Sequence, residues 1–123
     1  MSKRPKPARR GLDFDAVCEL ARDFPGVEVG TAYGTPALRV RGKFLCRLKE
    51  DGETLAIRCD FEERDARMAA DPKTYFITDH YKDYPAVLVR LAGVKPAELR
   101  AIIEQEWRRS APKKLVAEYD RRA

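Results

Sequence analysis

"VEVGTAYGTPALRVRGKFLCRLKEDGETLAIRCD", residues 27–60, alternates apolar and polar side chains with a period of two. That is the pattern of strands with one buried face and one face in water. Turn residues interrupt it where strands would reverse. Gly34 and Pro36 part a strand around Val29 from the next one, Gly42 turns that strand into another, and Asp51-Gly52 makes the last hairpin. Leu38, Val40, Phe44, Cys46, Leu48, Leu55, Ile57 and Cys59 then point toward a core. Arg39, Arg41, Lys43, Arg47, Lys49 and Arg58 form a basic row on the opposite face, with Leu45 its one apolar member.

Helical segments flank this stretch in the sequence. Asp13 is placed as the N-cap of a helix whose face carries Phe14, Val17, Cys18 and Ala21, and Pro25-Gly26 stops it. Asp60 with Glu63 reads as a capping box for a second helix that ends before Pro72. "TYFIT" (74–78) is a short strand, and "AVLVRLAGV" (86–94) is a nearly continuous apolar strand, expected to be covered on both faces. Pro96 suits the first position of a third helix with a stripe of Leu99, Ile102, Ile103 and Trp107. Pro112 precedes a short last helix through Leu115, Val116 and Tyr119. Because helices do not alternate with every strand, the expected class is α+β: two layers, an antiparallel sheet with helices on one face. The order is roughly α-β3-α-β2-α plus a short C-terminal helix.

A chain of 123 residues makes one domain, here residues 11–123. Residues 1–10 are expected to be a disordered basic tail, with Lys3, Arg4, Lys6, Arg9 and Arg10 all ahead of the first acid, Asp13. Without those five, basic and acidic residues balance at 20 each. The C-terminal end is basic again, and the body between is mildly acidic, which suits a solvated domain with basic ends. No apolar run approaches a bilayer span and no signal peptide opens the chain, so the expectation is a cytoplasmic protein with no membrane partner. Cys18, Cys46 and Cys59 share no metal-binding spacing and fall on apolar faces, so they are expected to be buried reduced thiols. No metal and no cofactor is expected.

Catalytic parts are scarce. Ser2 and Ser110 sit on no strand-to-helix elbow, and no phosphate-cradling glycine motif opens a helix. The one histidine, His80, lies in "TDHYKDYPAV" (78–87), where Asp79 and Asp83 flank it. The bland reading is a structural loop. Pro85 biases Tyr84 toward an extended shape, and Tyr81 and Tyr84 clamp the loop on the sheet end. The sharper reading is a pocket of Tyr33, His80, Tyr81 and Tyr84, if "TAYGTP" and "DHYKDYP" meet at one end of the sheet.

"GTAYGTPALRVRGKFLCRL" (30–48), "FITDHYKDYPAVLVRL" (76–91) and "WRRSAPKKL" (107–115) together resemble the MmcQ/YjbR family of small bacterial proteins, in order and in spacing, from about Leu12 to Tyr119. The resemblance implies a fold like that of secretion chaperones, α-β3-α-β2-α with an antiparallel sheet. It also implies a double-wing arrangement proposed to bind DNA, a label that rests on shape alone. It carries no catalytic residues.

Three functional readings follow. The first is non-enzymatic, non-sequence-specific nucleic-acid binding through Arg39, Arg41, Lys43, Arg47, Lys49 and Arg58 with Lys113 and Lys114, the tyrosines stacking unpaired bases. Its bland counterpart is a solvated charged face. The chain has no Asn and only Gln105, so base-specific reading of adenine is poorly served. The second reading is a protein-interaction module, chaperone-like or homodimeric, using an exposed sheet face or edge. The third is a small-ligand domain at the Tyr33, His80, Tyr81 and Tyr84 pocket.

Overall fold

The computed structural model describes residues 11–122. The basic tail lies outside them. Helix α1 (Phe14–Ala21) leads into four strands, β1 (Val27–Ala32), β2 (Thr35–Val40), β3 (Lys43–Leu48) and β4 (Thr54–Arg58). Helix α2 (Phe61–Ala70), β5 (Tyr75–Phe76), a 3-10 turn (Asp79–Tyr81) and β6 (Ala86–Arg90) follow, and α3 (Pro96–Ser110) and α4 (Lys113–Arg122) close the chain. All six strands join one antiparallel sheet in the order β1-β2-β3-β4-β6-β5. The class is the expected α+β, with four strands ahead of α2 and a strand at 75–76 shorter than "TYFIT" suggested.

Local chemistry accounts for the boundaries. Asp13 Oδ1 accepts from Ala16 N at 2.9 Å and Asp60 Oδ1 from Glu63 N at 2.8 Å, so both predicted N-caps form. Tyr33-Gly34 and Arg41-Gly42 make the two tight hairpin turns, with φ of 54° and 82° at the first pair and 49° and 83° at the second. Positive φ at both central residues is what a two-residue hairpin with the sheet's twist requires. Arg41 therefore belongs to a turn and leaves the basic row. Between β3 and β4 the chain takes a longer loop, in which Asp51 Oδ1 accepts from Glu53 N and Thr54 N.

The core lies between the sheet and the helices. Val17, Phe24, Leu38, Val40, Cys46, Leu55, Ile57, Val87, Val89, Leu99, Ile102, Ile103 and Trp107 are buried together. Trp107 stacks on Phe24 and meets Tyr119 edge-on, each with ring centroids 5.3 Å apart, and its Nε1 donates to Pro25 O at 2.9 Å.

Strict alternation fails in one place. Leu38 pairs with Cys46 but Arg39 pairs with Phe44, so Leu45 is the extra residue of a β-bulge in β3. The bulge reverses the expected facing of three residues, among them Lys43, which pairs with core-facing Val40 and leaves the outer row. Leu45, read as part of the outer row, is buried in the core, and Phe44, read as core, stands beside Arg39 on the outer face.

Candidate functional site: a basic, ring-lined cavity on the outer sheet face

The outer face of the sheet is paved with small residues. Gly30 pairs with Ala37, Ala37 with Arg47, Arg47 with Ala56, and Ala56 with Leu88, which places all five on one cross-strand row. Ala32 and Ala86 flank that row toward the two ends of the strands. Small side chains in the middle of a sheet with larger ones around them leave a hollow. Here it is a cavity of about 760 Å³, with Ala32, Ala56 and Ala86 in its floor, Arg39, Arg47 and Arg58 reaching into it, and Tyr33, Phe44, His80, Tyr81 and Tyr84 around it. Glu50 is the acid on its wall.

The connection between β5 and β6 forms one side of the cavity, and a residue remote in sequence holds it there. Arg64, buried on α2, donates through Nη1 to the carbonyls of Tyr81, Lys82 and Tyr84 at 3.1, 3.3 and 3.0 Å. One guanidinium thus gathers three backbone acceptors of a tight irregular loop; Tyr81 O and Tyr84 O also accept from Tyr84 N and Ala86 N, and Lys82 O takes its bond from Arg64. Lys49 Nζ donates to Tyr81 Oη at 3.2 Å and lies 5.0 Å from the ring centroid, which ties the loop to the end of β3. His80 is exposed and packs edge-on against Tyr81 at 5.1 Å and tilted against Tyr84 at 5.7 Å. The clamp expected of Tyr84 is not seen: the residue is 54% exposed, and Arg64 does the fastening.

Tyr33 and the His80 loop do share a cavity, by a route other than the one expected. Ala86 pairs with Arg58 at one end of the sheet, whereas the Tyr33-Gly34 turn follows Ala32 and Thr35 at the other. The two connections meet over the face. Tyr33 is 85% exposed, with the Arg47 guanidinium 5.0 Å from its ring centroid.

The basic row is divided. Arg47 is buried and donates through Nη1 to Thr35 Oγ1 at 3.0 Å and to Glu50 Oε2 at 3.4 Å. Arg39 Nη1 donates to Thr31 O at 2.9 Å across the hairpin. Arg58 Nε lies 3.2 Å from Glu106 Oε2 of α3. Arg41 and Lys43 are exposed at the hairpin end and line no part of the cavity, and Lys113 and Lys114 are exposed at the start of α4, in the helical layer. A single stripe of six cations is therefore replaced by three guanidiniums in a hollow, with Lys49 against the His80 loop and Arg41 and Lys43 at the hairpin end.

Three participants escaped the sequence reading: Phe44, Arg64 and Glu106. Phe44 left no local signal, since the bulge that turns it outward is set by pairing with β2. Glu106 is buried and accepts from Ser110 Oγ at 3.0 Å and from Arg109 Nη1 at 3.3 Å in addition to facing Arg58. Burial pushes its carboxyl above the ordinary range, against the Ser110 hydrogen bond and the two arginines. Glu50 is held low, first by its own backbone N–H and then, among other groups, by Arg47 and Lys49. Burial raises the thiols of Cys46 and Cys59 to about 12, which disfavours the reactive thiolate. All three cysteines are free, with Cys18 only partly buried. Among the described residues no group of three or more His, Cys, Asp and Glu is placed to hold a metal ion, and no helix is long and apolar enough to cross a membrane.

Residues 22–109 match the YjbR family. The chain belongs to that family. Its YjbR region contains every residue that lines the cavity, and also Arg64 and Glu106. The uncharacterized protein Rv2570 of Mycobacterium tuberculosis strain H37Rv is 41% identical over 66 residues, 53% of this chain and 51% of that protein. The uncharacterized protein Mb2600 of Mycobacterium bovis is similar to the same extent. The chain spans about half the length of the curated relatives it matches. No solved structure matches it at a significant level.

Proposed function

We propose that this YjbR-family protein binds single-stranded nucleic acid through the outer face of its sheet, with little sequence preference and without catalysing a reaction on it. The observation that supports this reading is the convergence of Arg39, Arg47 and Arg58 with Tyr33, Phe44, His80, Tyr81 and Tyr84 on one hollow. Guanidiniums serve phosphates, and exposed rings serve unpaired bases whatever their identity. A flat charged face would suit duplex backbone contacts; a hollow lined by rings needs bases that can leave the stack. Lys113, Lys114 and the basic N-terminal tail add charge that strengthens any such binding without directing it.

The test is fluorescence anisotropy of labelled oligothymidylate against a duplex of the same length, titrated over salt concentration. Single strands should bind more tightly, and Tyr33→Gly should weaken them by roughly tenfold or more, as loss of one stacked base does. Arg39→Ala and Arg58→Ala should each flatten the salt dependence by about 0.7 for every phosphate left without its cation. Equal affinity for single strand and duplex, unaffected by Tyr33→Gly, would remove the cavity from the interaction.

A protein-interaction role has one specific observation in its favour. Strand β1 is a six-residue sheet edge, and its Val29 is 67% exposed. An uncovered edge with an exposed β-branched residue can accept another strand. Concentration-dependent mass in sedimentation, abolished by Val29→Lys, would support that use of the edge.

A further inference from the structure

The cross-strand register gives the cavity two chemically different ends. From the row that holds Ala37, Arg47 and Ala56, one step along the strands toward the start of β6 brings Arg39, Phe44 and Arg58 side by side on β2, β3 and β4. Adjacent strands lie about 4.8 Å apart, so the Arg39 and Arg58 backbones stand about 10 Å apart with the Phe44 ring between them. Arg39 now donates to Thr31 O and Arg58 pairs with Glu106, and from that backbone spacing the two side chains can share one phosphate by swinging from those partners. In the other direction the floor runs to Ala32, about two such steps or 13 Å from the level of Arg39, and Tyr33 follows in the turn. That end offers rings, with the His80 loop facing them across the hollow.

Charge narrows the ligand further. Arg39, Arg47 and Arg58 face Glu50 within the cavity lining, leaving two positive charges in excess. Glu106 draws on Arg58 from behind but is shared with Arg109, which itself pairs with Asp60. A phosphodiester inside a strand carries one negative charge, whereas a phosphate monoester carries about 1.5 to 2 at neutral pH. We infer that the cavity is a binding site for one nucleoside monophosphate unit, its terminal phosphate between Arg39 and Arg58 and its base against Tyr33. The volume of about 760 Å³ lies within the range of ligand sites, about 300–1,000 Å³, and has room for a unit of this kind. The unit can come from a free nucleotide or from the phosphorylated end of a strand. The inference rests on the proposed use of the cavity and adds the terminal phosphate and the one-unit stoichiometry.

Isothermal titration of the full chain with thymidine 5′-monophosphate tests it, beside thymidine alone, inorganic phosphate alone, and oligothymidylate with and without a 5′-phosphate. The expected result is one nucleotide per chain, bound at least about tenfold more tightly than either fragment, with the phosphorylated oligomer ahead of the unphosphorylated one. Tyr33→Gly should abolish the advantage of the nucleotide over inorganic phosphate. Glycine suits the positive φ at that turn, so this variant removes the ring while keeping the fold. Arg58→Ala should abolish its advantage over thymidine, and Lys95→Ala, an exposed cation outside the cavity, should change neither. Free nucleotide outcompeting the phosphorylated oligomer identifies the free molecule as the source, and the reverse order identifies a strand end; both uphold the site. Nucleotide binding no better than inorganic phosphate overturns the inference. So does tight oligomer binding that a 5′-phosphate does not improve and a mononucleotide does not inhibit, although single-strand binding would then stand. No binding of either nucleotide or oligomer overturns both readings.

Discussion

The two faces of the sheet use the same strands for opposite purposes. On the core face Leu38, Val40, Leu55, Ile57, Val87 and Val89 fill the space beneath the helices with large aliphatic groups, and Trp107 completes the packing. On the outer face Gly30, Ala37 and Ala56 share the middle row with Arg47 and Leu88, Ala32 and Ala86 flank it, and most of the large side chains stand around these small ones. A solvated sheet face would spread long polar side chains evenly. This one gathers its guanidiniums and rings about a hollow, and it holds them by hydrogen bonds and ion pairs reaching in from α2 and α3. One face is built by filling space and the other by leaving it empty.

The largest expected effect is on the filled face. Trp107→Ala removes a fully buried ring system and the hydrogen bond to Pro25 O, and large-to-Ala aromatic truncations cost about 3–5 kcal/mol. Denaturant titration should show a domain that is unfolded or barely folded at about 25 °C. A midpoint within error of the parent would mean that the packing of α3 on the sheet is not what holds the fold.

Arg64→Ala comes next and acts on the outer face alone. Three carbonyls lose their shared donor, although Tyr81 O and Tyr84 O keep a backbone N–H each, and hydrogen bonds to a charged group contribute about 1.5–3 kcal/mol. Hydrogen exchange should speed up across residues 78–86 while β2 and β3 stay protected. Uniform acceleration would show that the loop and the core open as one unit.

Glu106 joins the two faces, and its raised carboxyl pKa sets a pH dependence. The folded protein holds that proton more tightly than the unfolded chain, so stability falls as pH rises from the ordinary glutamate pKa through the raised one. Its contribution is complete below that window and lost above it. Subtracting the stability-against-pH curve of Glu106→Gln from that of the parent isolates this group, and the difference should slope downward with pH. A difference that rises with pH would mean that Arg58 and Arg109 outweigh burial.

Tyr84→Ala should matter least for stability. This half-exposed residue leaves the fastening to Arg64, and substitutions at such exposed positions stay within about 0.5 kcal/mol. A drop well beyond that in a thermal melt would restore Tyr84 as the clamp of the loop.

Much of the architecture was legible in local chemistry. Alternation over residues 27–60, the capping acids Asp13 and Asp60, Pro96 at the start of α3 and the glycines at 34 and 42 depend on a few neighbouring residues, and each element appears where those residues place it. The buried stripe of α3 follows from helical spacing alone. Only the tertiary structure could decide the facing of Phe44 and Leu45, because a bulge adds one residue at a point chosen by the partner strand, and the period-two alternation is reversed beyond it. The cavity has the same origin. Its floor comes from alanines on separate strands, its cations from β2, β3 and β4, and its wall from a loop pinned by Arg64 on α2. These groups come from separate segments of the chain, so no local pattern announces the hollow; it exists because the sheet's register sets small side chains of neighbouring strands on one face and surrounds them with rings and charge.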